Sequence, residues 1–119
     1  RGEKTNESPL PSSTFGLHTV PIMTAAELRA SATSDSAAPQ GLSNEALALW
    51  HAKKGEWDEA HSIAQDIHTS MGSWIHALLH VIEGDQWNAD YWFSKAGKPS
   101  RKPKDIDALW DEIATKVLS

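Results

Sequence analysis

His76 and His80 stand four residues apart, and Glu83 follows three residues later. On one helix these three side chains project from a common face. A His-x-x-x-His pair is a workable two-ligand unit for zinc or another divalent ion. The hydrolytic zinc motif adds a glutamate directly after its first histidine as general base, and Ala77 occupies that place here. The chemistry indicated is therefore ligand binding without hydrolysis. A third ligand must come from elsewhere in the chain, and His51 is the candidate to complete His76, His80 and Glu83, with His61 as the other histidine on the neighbouring segment. There is no cysteine, so thiolate metal sites, disulfides and cysteine nucleophiles are all excluded.

A plainer role competes with ligation. A buried imidazole can simply fill a helix contact with one nitrogen hydrogen-bonded, and packing is the preferred reading for His51 and His80. His18, His61 and His68 read as arm or surface residues. No nucleophile stands with a positioned base, and no glycine-rich phosphate loop or nucleophile elbow is present, so the chain carries no enzyme signature. No cofactor is implied. The acid cluster Glu56, Asp58 and Glu59 suits the start of a helix, where carboxylates oppose the positive end of the dipole.

Six tryptophans in 119 residues supply large apolar area for a small core. Trp87, Tyr91 and Trp92 crowd one short segment, and they cannot all enter a single buried stripe beside Ala89 and Ala96. They are the candidate partner contacts. Lys95, Lys98, Arg101, Lys102 and Lys104 form a basic stretch without an intervening acid. A net charge of -5 disfavours a general nucleic-acid or anionic-membrane binder, so nucleic acid is not favoured as a partner. No stretch approaches the roughly 20 apolar residues that span a bilayer. No membrane partner is expected, and a soluble, cytoplasmic protein is expected ahead of an exported one.

The elements that must position these groups are helices. Residues 1–23, with Pro9, Pro11 and Pro21, read as an extended N-terminal arm whose Phe15, Leu17, Val20 and Ile22 could cross the body. Thr24-Ala25-Ala26-Glu27 fits a capping box opening a short helix over 24–32, and the Ser- and Ala-rich run to Gly41 reads as a linker. Residues 42–119 form the helical body. Ser43 caps a helix that ends at Gly55; Trp57 to about Thr69 forms the next, and Gly72 breaks the chain. Trp74 to Ile82 is apolar on nearly every side and belongs at the centre. Asp85 caps a helix stopped by Gly97 and Pro99, and the 3, 4 spacing of Ile106, Leu109, Trp110, Ile113 and Val117 predicts a closing helix.

Two of these segments repeat. Ala48/Ala77, Leu49/Leu78, His51/His80, Gly55/Gly84, Glu56/Asp85 and Ala60/Ala89 pair at a constant offset of 29. The spacing of Ala48, His51, Gly55, Glu56, Trp57 and Ala60 resembles the tetratricopeptide repeat, although the step is shorter than the usual 34 and histidine stands where that motif has a larger aromatic. The phrase Trp74 to His80, followed by Gly84-Asp85, Asn88-Ala89, Tyr91-Trp92 and Ala96 to Pro99, is also similar to a family of small bacterial helical proteins with no established function. The resemblance implies an all-α fold of stacked antiparallel hairpins with a C-terminal capping helix. The two hairpins and the aromatic surplus point to a non-catalytic interaction or scaffold module, binding an unknown protein or peptide or associating with itself. The alternative is a metal- or small-ligand-binding protein using His76 and His80. Within the repeat His76 is the asymmetric position, since Leu47 stands there in the first copy.

Overall fold

Thr24, Ser43, Thr69 and Asp85 each accept a hydrogen bond on a side-chain oxygen from the backbone N–H three residues on. Each thereby satisfies one of the free donors at a helix start. The computed structural model describes residues 23–119. Its helices are α1 (Ala25–Ser34), α2 (Asn44–Lys54), α3 (Trp57–Gln65), α4 (Ser70–Glu83), α5 (Gln86–Ala96) and α6 (Ile106–Leu118), with a 3-10 turn at Pro103–Asp105 before the last. No strand occurs among the described residues, and the protein is all-α. Thr24 and Glu27 form the expected reciprocal capping box.

The repeat is visible as backbone geometry. Gly55 ends α2 at φ 90°, ψ 15°, and Gly84 ends α4 at φ 88°, ψ 17°. This left-handed conformation is one that glycine adopts without a side-chain penalty. The next N–H, from Glu56 or Asp85, donates to the carbonyl of His51 or His80, at 2.9 Å in both copies. These two-residue corners fold α3 back on α2 and α5 back on α4 as antiparallel neighbours. Ala48, Ala60, Ala77 and Ala89 are all fully buried within the hairpins, where small side chains let helices approach closely.

Contact between α3 and α4 joins the hairpins, α6 packs across α2 and α4, and α1 lies on α2 and α6. Leu28 and Ala32 of α1 enter the same core. Trp50 and Trp110 are fully buried, and their indole N–H groups donate to Ser31 Oγ at 3.0 Å and the Leu49 carbonyl at 2.9 Å. The expected central helix is α4, buried from Trp74 through Val81 without interruption. Each fully buried Leu or Ile there contributes about 1.5–3 kcal/mol. No described helix is long and apolar enough to cross a membrane.

Two boundaries differ from the sequence expectation for one reason. Thr69 is the N-cap of α4, so α3 stops at Gln65 and α4 begins before Gly72. Gly72 is thus a helical residue of the first turn, not a break. A β-carbon on it would run into the backbone carbonyl of Ile67, so the missing side chain permits the tight α3–α4 connection. The arm residues Phe15, Leu17, Val20 and Ile22, and His18, lie outside the described residues. Gly72→Ala is expected to destabilise the fold by about 1–3 kcal/mol, read as a lowered urea midpoint by tryptophan fluorescence. An unchanged midpoint would contradict the close approach.

Candidate metal centre

One turn of α4 separates His76 from His80, and their rings stack with centroids 4.9 Å apart. Each side chain belongs to a residue only 6% exposed. Burial of α4 on several sides leaves these two polar rings in need of hydrogen-bond partners. From α3, Trp57 donates its indole N–H to the Leu79 carbonyl at 2.6 Å, which pins α3 across α4. One turn later His61 stacks on the Trp57 ring, at 4.7 Å between centroids and 12° between planes. From α5, Trp92 lies flat against His76 at 3.9 Å.

These contacts bring His61 Nε2 to 2.9 Å from His76 Nε2. One nitrogen of each of His61, His76 and His80 falls within 4.8 Å of the other two. A tetrahedral zinc ion bonded to nitrogens at about 2.0–2.1 Å sets those nitrogens roughly 3.3–3.4 Å apart. The 2.9 Å pair must therefore separate slightly, a movement on the scale of side-chain torsions.

Protonation favours ligation. His80 Nδ1 lies 2.7 Å from Glu83 Oε2, and a carboxylate there accepts the Nδ1 proton, leaving the lone pair on Nε2. This carboxylate–histidine arrangement orients an imidazole and raises its basicity toward a metal. Burial, followed by the neighbouring His61 and His80, holds His76 down to about 4. Burial, followed by His80, also lowers His61. Both rings are then neutral near pH 7, so a metal need only shift the Nε2 proton of one of them to its Nδ1, with no net proton released. Without a metal, one of the two donates its Nε2 proton to the other.

Of the residues singled out in sequence, His76, His80 and Glu83 come together, whereas His51 does not join them. His51 Nδ1 instead pairs with Glu56 Oε1 at 2.7 Å, with its ring edge against Trp50. His51 thus keeps the imidazole–carboxylate pair with no second imidazole against it. His61, read in sequence as a surface residue, supplies the third ring. The Trp57–His61 spacing of four was its available signal, because it places the imidazole one turn from an aromatic that must face α4. Glu83 and Asp85 also approach His80 within 4.8 Å, but both are exposed and Glu83 is already bonded to the ring.

The remaining candidates scatter. Trp87 is 86% exposed and Tyr91 54% exposed on α5, while Trp92 turns inward. In the basic stretch, Lys95 lies over Tyr91 and Trp92, and Lys98 lies 4.3 Å from the Trp74 ring centroid. Arg101 bonds Glu112 at 2.9 Å, and Lys104 lies 3.9 Å from Asp105. Lys102 bonds Ser100 and, through its backbone N–H, Asp105.

For the metal-free protein the low His76 value fixes a pH dependence. The unfolded chain takes its proton near the ordinary value of 6.5, whereas the folded ring resists until about 4. Stability is fully present above 6.5 and falls as pH drops from 6.5 toward 4, by at most on the order of 3 kcal/mol from this ring. His61 acts in the same direction, with His80 and Glu83 facing the pair. Urea midpoints at pH 7 and pH 4.5 should fall further for the natural chain than for His76→Phe. Equal falls would contradict the assignment.

Compared with protein-family models, curated proteins and solved structures, the chain finds no match in any of the three.

Proposed function

We propose that this chain is a metal-binding helical module in which His61, His76 and His80 hold a divalent ion of the zinc type. The observation that carries the reading is the convergence of three imidazole nitrogens within 4.8 Å, on rings oriented by Trp57, Trp92 and Glu83. Borderline ions such as zinc, copper and nickel suit an all-imidazole donor set. Three protein ligands leave a further coordination position for water or a ligand. Burial holds His61 and His76 below the usual imidazole range, which keeps these two rings uncharged near pH 7.

A second reading has its own support. Trp87 and Tyr91 are large aromatic residues exposed one turn apart on α5, and tryptophan and tyrosine are enriched among residues that dominate protein contacts. This is the interaction module to which the two hairpins and the aromatic surplus point, and the two readings are compatible because the exposed face and the histidine cluster use different residues.

Zinc titration by calorimetry on chelator-treated protein tests the first reading. Saturable one-to-one binding is expected, and His61→Ala, His76→Ala and His80→Ala should each weaken it by more than about 100-fold, with Glu83→Gln weakening it about 10- to 100-fold. His51→Ala should leave the affinity unchanged, which separates ligation from general loss of packing; circular dichroism confirms that each variant folds. Absence of saturable binding would overturn the proposal. For the second reading, sedimentation velocity should show self-association that Trp87→Ala with Tyr91→Ala abolishes; a strict monomer removes the self-association version.

A further inference from the structure

His76 belongs to two features at once. Its Nε2 faces His61, and its ring also lines a cavity of about 330 Å³ bounded by the end of α3, the first turns of α4 and Trp92 and Lys95 of α5. That volume lies at the small end of ligand pockets. Nε2 is taken by His61, so Nδ1 is the remaining polar atom of a ring that lines this cavity.

The cavity wall is chemically one-sided. Gln65, His68, Ser70, Ser73 and Lys95 offer amide, imidazole, hydroxyl and ammonium donors, and no aspartate or glutamate lines it. In a chain with a net charge of -5, a pocket without carboxylates that carries an ammonium is a local reversal of sign. The α4 N-terminus presents the positive end of its dipole to the cavity, and the C-terminal end of α3 on the same wall opposes it. We infer that this cavity binds a small oxyanion, which accepts hydrogen bonds from the wall and from His76 Nδ1–H.

The link to the metal rests on the preceding reading and follows from imidazole chemistry. A neutral imidazole that gives Nε2 to an ion must carry its proton on Nδ1. Metal binding therefore fixes His76 as a donor toward the cavity, where without metal the proton can sit on either nitrogen. An anion accepting that proton increases the basicity of the ring toward the ion, as outer partners of ligating histidines do. The two ligands then strengthen one another, and by linkage the factor is the same in both directions.

Calorimetric titration with sodium sulfate, at ionic strength held constant with chloride, tests this on chelator-treated and zinc-loaded protein. Saturable sulfate binding is expected in both forms, tighter by at least about fivefold in the zinc-loaded form, with zinc affinity raised by the same factor at saturating sulfate. Lys95→Gln should weaken sulfate by at least about fivefold while leaving zinc affinity measured in chloride unchanged, since Lys95 touches none of the three ligating rings. No saturable sulfate binding in either form overturns the anion site. Equal sulfate affinity in both forms overturns the link through His76. If zinc itself fails to bind, the metal reading falls by its own titration, and sulfate binding to the metal-free protein decides the cavity separately.

Discussion

Burying α4 from Trp74 to Val81 is the constraint from which the rest of this structure follows. A helix covered by α3, α5 and α6 supplies the apolar core of a small domain, but it carries two imidazoles into that core. Each buried ring must find hydrogen-bond partners or forfeit its hydration. Glu83 answers for His80 within the same helix. His76 has no such neighbour on α4, and its partners come from both flanking helices: an imidazole from α3 and an indole face from α5. The cluster is thus the polar counterpart of central burial, and three convergent nitrogens are its geometric result.

Comparison of the two repeats separates what is structural from what is particular. Both have the glycine corner with nearly identical dihedrals, and both pair the histidine before it with a carboxylate. His51 shows that such a pair serves a helix end without any further ring nearby. At the position matching half-buried Leu47 of the first hairpin, the second hairpin carries the buried, hydrogen-bonded His76. A single side chain therefore distinguishes a repeated device from a candidate site, and the same side chain lines the adjoining cavity.

Much of this architecture was legible in the sequence because the signals were local. Ser43, Thr24 and Asp85 act through caps three residues long, and Gly55 and Gly84 through their own dihedrals. The all-round apolarity of Trp74 to Ile82 correctly announced a central helix. Gly72 misled because glycine serves both as a break and as a point of close approach, and only the position of the Ile67 carbonyl distinguishes these. The ring set was half legible. His76, His80 and Glu83 share one helix, so their spacing sufficed. His61 and Trp92 depend on how α3 and α5 lie across α4, which spacing within either helix encodes only in part, and the sequence placed His51 ahead of His61 as the further ligand.

The placement of His61 has one more consequence. It belongs to the first hairpin, while His76 and His80 belong to the second. Stacked helical units derive their stability from each unit plus the interface between neighbours, so the α3–α4 contact is where such a pair would come apart first. An ion held by all three rings would act there as a reversible crosslink, closing a short loop of chain and coupling the fates of two units that otherwise meet through packing and the Trp57–Leu79 and His61–His76 hydrogen bonds. Unfolding of the two hairpins would then become a single cooperative event whose midpoint tracks the free ion concentration.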